Sequence, residues 1–197
     1  MYTITVSMYR DVLNALKDGD KNLAKVVYSL DNDVDHFSFF ILRLLRSVII
    51  NPELTNYLGL EPIDCLDYQT FVHRIEQVGD KAANIAKCVI MLDDEKQKIP
   101  LPVLELILKA GNEAFHAYDK AVKAFLSKDV TEANRVIELK KKIDKLDREI
   151  SSRFFLSRPE SPTLCCLVCS IRDNIRETME HAVDIAEITV NRSYKIS

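Results

Sequence analysis

Apolar residues recur along this chain at three- and four-residue spacing for long stretches, the pattern of amphipathic helices rather than strands. In the first half, Ala24, Val27, Leu30, Val34, Phe37, Ile41, Leu44 and Val48 predict a helix from about Lys21 to Ile49. A shorter helix is expected before it, from about Ser7 to Lys17, stopped by Gly19 and followed by Asp20 as the next N-cap. Ahead of that, alternation from Thr3 to Val6 predicts a strand or extended arm. After a loop through Asn56 and Gly59, a third helix starts at Pro62 and runs to about Leu92, with Leu66, Phe71, Ile75, Val78, Ala82, Ile85 and Val89 on its apolar file.

The polar, proline-bearing stretch Asp93 to Pro102 reads as a connector. A fourth helix is expected over about Pro102 to Leu126. A fifth, capped by Asp129 with Glu132, continues to about Phe155, and a sixth follows a turn from Ser157 to Pro162. The two halves are copies. RIEQVGDKAANIAK, Arg74 to Lys87, returns as NIRETMEHAVDIAE, Asn174 to Glu187, at an offset of 100, and AKVVYSLDNDVDHF returns as ANRVIELKKKIDKL at an offset of 109. The expected fold is therefore all-α: two tandem antiparallel three-helix bundles, six helices in all, over residues 1–95 and 96–197. The first helix is shorter than its counterpart, so either the first unit is trimmed or the sequence begins inside a longer protein.

Only four Gly, and six Pro confined to segment boundaries, agree with long uninterrupted helices. Charge is abundant but balanced, with a formal net of −3, which argues against this chain binding nucleic acid alone. FSFFILRLLRSVII is broken by Arg43 and Arg46, so it reads as a buried helix and not a membrane span. The N-terminus lacks a secretory signal pattern and the five cysteines are odd in number, which makes a cytoplasmic protein the default.

Positions four apart on a helix stack on one line. Asp31 and Asp35 form such a pair on the second helix, and Glu76 and Asp80 another on the third. Angular counting sets the first pair beside its apolar stripe, roughly 60° and 100° from Val34, and the second at about 120° and 160° from Ala82, facing solvent. If the helices are neighbours, four carboxylates gather on the outer surface, and a multivalent cation relieves their repulsion. The ion expected is divalent or trivalent, among Mg, Mn, Ca, Zn and iron, with all-oxygen ligation favouring the others over a structural zinc. The alternative is that these acids merely solvate an exposed face. In the second copy Lys140 and Arg176 replace Asp31 and Glu76, while Asp144 and Glu180 remain acidic. Cross-helix pairing of Lys140 with Glu180, or Arg176 with Asp144, is then expected in place of a cation.

The stretch RIEQVGDKAANIAK resembles the signature helix of the PhoU family: a Glu, a Gly-Asp ending four residues later, then Asn-Ile-Ala. The resemblance covers essentially the whole chain as two PhoU-type repeats. It implies a cytoplasmic, all-α regulator of phosphate uptake and phosphate signalling that acts by protein contacts, with metal clusters held at the surface by paired acidic motifs. By it, Asp31, Asp35, Glu76 and Asp80 are candidate metal ligands, phosphate transporter ATPase or sensor kinase components are the expected partners, and a homodimer is expected. Gln77 departs from the Arg that commonly follows the motif's Glu, and the second repeat has lost half of its acids. Archaeal relatives often carry an AbrB-type DNA-binding domain ahead of the repeats, so the regulatory domain of a DNA-binding protein stands as an alternative, beside a structural helical interaction domain without metal.

Among rival chemistries, Glu113 and His116 have the Glu-x-x-His spacing of a di-iron bundle but fall on the solvated side of their helix. Cys165, Cys166 and Cys169 contain a Cys-x-x-Cys pattern without a second pair, and packing is the expected role. His73 lies along the acidic file, and His181 has no assigned role. A nucleophile with an adjacent base and a Gly-rich phosphate loop are both missing from the sequence, which argues against an enzyme.

Overall fold

A computed structural model of the protein describes residues 1–157 and 161–194. Seven helices occur among them: α1 (Tyr2–Asp18), α2 (Lys21–Ile50), α3 (Pro52–Leu58), α4 (Pro62–Asp94), α5 (Leu101–Ser127), α6 (Val130–Leu156) and α7 (Pro162–Asn191). Two three-helix groups result, α1 with α2 and α4, then α5 with α6 and α7.

The boundary signals act as the sequence predicts. Gly19 takes φ 67°, which costs glycine nothing, and Asp20 accepts hydrogen bonds from the amides of Asn22 and Leu23. Asp129 accepts from the Glu132 amide at 3.0 Å. Two expectations fail. Thr3 to Val6 is helical: Thr3 is exposed, while Thr5 is fully buried, with its hydroxyl 2.7 Å from that of Tyr118 on α5 and donating to the Tyr2 carbonyl. The loop after α2 contains a seventh helix, α3, started by the Asn51 side chain accepting from the Glu53 amide and ended by Gly59 at φ 62°. The predicted turn at Ser157 to Pro162 falls partly on residues 158–160, outside the described residues.

One hydrophobic core runs through both groups, from Met8 and Val12 on α1 to Ile185 and Ala186 on α7. Along the seam between groups, α4 and α7 run antiparallel: Arg74 pairs with Asp184 (2.9 Å), Lys81 with Glu177 (2.6 Å), and Cys88 contacts Ser170 (3.4 Å). These three contacts are symmetric about Gly79 and Met179, which correspond through the repeat, so a pseudo-twofold axis passes between them. At one end, Arg192 reaches from beyond α7 to Asp64 and Asp67 and stacks over the rings of Tyr68 and Phe125.

The far end of α2 departs from expectation. Phe37 and Leu44, placed on the core file by periodicity, are about half exposed, as is Leu66 of α4. Of the stretch from Phe37 to Ile50 only Ser38, Leu45 and Val48 are buried, the last two in a small separate cluster with Cys65. Among the described residues α1 has 17 residues against 27 in its counterpart α5.

Candidate metal centre

Asp31 and Asp35 sit one turn apart on α2, and Asp80 follows Gly79 on α4. A Cβ built on Gly79 would lie 3.2 Å from Val34 Cγ1 and 3.4 Å from Thr5 Cγ2, so the missing side chain is what lets α2 and α1 come this close to α4. That approach places one oxygen each of Asp31, Asp35 and Asp80 all within 4.8 Å of one another. Three oxygens around a cation at about 2.0–2.6 Å each span distances of this order.

The site is half-buried rather than on the outer surface. Angular counting from Ala82 misses this because α4 touches α1, α2 and α7 at once, so its covered face is broader than a single stripe. Asp31 Oδ1 is buried with no hydrogen-bond partner. Burial first, then the charges of Asp80, Asp35 and Glu76, push the Asp31 carboxyl up to about 6. Asp80 is likewise raised, by burial and then by Glu76 and Asp35, against the lowering pull of Lys81 and His181. A buried, unpartnered carboxylate oxygen beside two like charges is costly, and a hard cation with oxygen ligands relieves both terms. The residues therefore fit such an ion.

Glu76 stands apart from this trio. Its Oε2 accepts from the Ser38 hydroxyl at 2.7 Å and lies 3.4 Å from His73 Nδ1, so its carboxylate already has partners. Ser38 was not a sequence candidate; a polar residue four after Val34 and three before Ile41 on the apolar file is the signal that could have found it. His181 was also missed. Both its ring nitrogens are buried without hydrogen-bond partners, and Nδ1 is 3.8 Å from Asp184 Oδ2. It occupies the repeat position of Lys81, which is the clue the sequence offered.

In the second group the expected cross-helix pairs do not form. Arg176 instead binds Glu180 within α7 at 2.7 Å, and neither Lys140 nor Asp144 has an ion-pair partner within 4.0 Å among the described residues. The α6–α7 link is made by Arg172 and Asp147 at 3.0 Å. Of the four repeat positions, only Arg176 and Glu180 neutralise each other by i, i+4 bonding.

The remaining candidates lie elsewhere. Glu113 pairs with Lys142 at 2.6 Å and His116 is exposed, both away from any buried centre. Cys65 and Cys88 are buried, Cys165 and Cys169 half-buried, and Cys166 exposed, so the packing role expected for the α7 cysteines does not extend to Cys166.

The family model described as "PhoU domain" matches residues 1–89 and again 107–189. Among solved structures, PhoU from Pseudomonas aeruginosa superposes with a TM-score of 0.84 at 20% identity, covering 98% of this chain and 93% of that one. The phosphate transport system regulatory protein PhoU from Streptococcus pneumoniae gives 0.83 at 16% identity, covering 100% and 92%. A search among curated proteins finds no sequence match.

Proposed function

Because the chain belongs to the PhoU family, we propose that it regulates phosphate uptake and phosphate signalling through protein contacts, without catalysis, with a cation held by Asp31, Asp35 and Asp80 in its first repeat. The observation that carries the metal is the buried, unpartnered Asp31 Oδ1 within a trio of converging carboxylates. Supporting the regulatory reading is the double match of one domain, together with a surface of paired acids and bases on the second repeat suited to a protein partner. No helix among the described residues is long and apolar enough to cross a membrane, in keeping with action on the cytoplasmic side of a transport system. Phosphate transporter ATPase or sensor kinase components are the partners to test.

Bound there, the cation would neutralise the trio and hold α2 against α4. Glu76 adds negative charge beside the site while its own oxygen stays with Ser38 and His73. Purification without chelator and elemental analysis test the assignment. The expected outcome is bound metal in the wild type, loss of most of it in Asp31→Asn and Asp80→Asn, and retention in Glu76→Gln. Metal-free wild-type protein would favour a structural helical interaction module instead.

A further inference from the structure

We propose that the cavity where the connector between the repeats, residues 95–100, crosses the ends of α1 and α4 binds a small amphipathic anion, an aliphatic chain ending in a carboxylate or phosphate group. The cavity measures about 510 Å³, within the ~300–1,000 Å³ of small-molecule sites. Its floor is aliphatic. Leu16 of α1 and Val89 and Leu92 of α4 are buried beneath it, while Ile99 of the connector and Leu104 of α5 are half-buried at its edge. No aromatic ring is among the described lining residues, so a nucleobase would find nothing to stack on.

The rim decides the charge of the occupant. Lys17, Lys96 and Lys98 are exposed along it, and none has an ion-pair partner within 4.0 Å among the described residues. Of the two acids that line the cavity, Asp93 is already held by Lys21 at 3.1 Å, so only Asp18 stands against the three lysines. Such a rim favours an anion.

Lys96 is also held in a conformation that costs it. It follows α4 at φ 51°, with its amide bonded to the Asp93 carbonyl at 3.1 Å. The same left-handed region ends α1 and α3, but there Gly19 and Gly59 occupy it without the strain that a Cβ brings. The other described residue with a side chain in this region is Lys128, and it has an acid to serve, since the Asp64 carboxyl is lowered by the Glu61 amide, Arg192 and then Lys128. Lys96 lines the cavity instead. An occupant with its head group at these lysines would tie the connector to both repeats, and the site depends neither on the metal nor on the regulatory reading.

Titration of the whole chain with sodium octanoate, read by the methyl resonances of labelled leucine, isoleucine and valine, tests the site. Octanoate should shift the methyls of Leu16, Val89, Leu92, Ile99 and Leu104 in one saturable event, while octylammonium, acetate and inorganic phosphate should each bind about tenfold more weakly or worse. Lys96→Gly, which relieves the backbone strain, should melt no lower than wild type yet lose about tenfold in octanoate affinity. Leu104→Trp, which fills the cavity, should abolish the shifts with helical circular dichroism unchanged. Octyl phosphate should bind at the same methyls, and whichever of it and octanoate binds more tightly identifies the head group. An absence of saturable octanoate binding, equal binding of octylammonium, or unchanged affinity in Lys96→Gly, the result if that lysine only complements the C-terminus of α4, would overturn the inference. So would octanoate shifts confined to the exposed methyls of Leu44, Ile49 and Ile50.

Discussion

Asp31 is the side chain in which the local conflict is greatest, and pH exposes it. Its carboxyl is raised to about 6, from an ordinary value of 3.8, by burial and by three neighbouring acids. Between those values the folded state binds a proton that the unfolded chain has released, so this group's contribution to stability falls as pH rises through the window and levels off above it. Chelated Asp31→Asn should therefore match wild type below pH 4 and exceed it at pH 7 by about 1 kcal/mol, after discounting for partial exposure. Thermal melts of both proteins in EDTA across pH 4–7.5 read this difference; a gap that is absent or reversed at neutral pH would contradict the placement. Spacing in the sequence marks Asp31 with Asp35 and Glu76 with Asp80 as pairs four apart, and brings the two pairs together only on the condition that their helices are neighbours. It did not show that Glu76 turns toward Ser38 and His73, since a side chain's partner depends on the neighbouring helix and not on its own periodicity.

Among the helices, the approach of α2 to α4 sets the geometry of the site. Gly79 is a point of close contact, against a β-branched Val34 that is wholly buried and cannot rotate aside cheaply. Gly79→Val should push the helices apart, destabilise the fold by about 1–3 kcal/mol and weaken metal binding by spreading the three oxygens. Denaturant unfolding and metal titration check the two effects separately, and unchanged values for both would refute this role for the glycine. Helix ends were readable where one residue performs a local job, as at Gly19, Asp20, Pro62 and Asp129. The start of α1 and the short α3 were not, because the β-branched run from Thr3 to Val6 looks extended until α4 and α5 supply the wall against which Thr5 is buried. Likewise, periodicity marks Phe37 and Leu44 as apolar but cannot say whether another helix reaches them.

At the level of the whole molecule, the duplication was legible from two offsets, whereas the sharing of one core was not, because it depends on how the copies face each other. The α4–α7 seam, with Arg74–Asp184 and Lys81–Glu177, lies over one hydrophobic core that both halves share among the described residues. Arg192 adds a further tie, with its guanidinium 4.6 Å above the Phe125 ring and bound to Asp64 and Asp67 of the other repeat. Calorimetry should accordingly give a single cooperative transition for both repeats, and two resolved transitions would show the seam to be weaker than its contacts imply.

That same near-symmetric seam says something about descent. A solitary ancestral unit of three helices would have carried the face of α4 now covered by α7 bare to solvent, and two such units could have hidden it only by clasping each other about the axis near Gly79. Fusion of the genes would then have freed the halves to diverge, so that Lys81 of one now corresponds to His181 of the other, and Asp31 and Glu76 to Lys140 and Arg176.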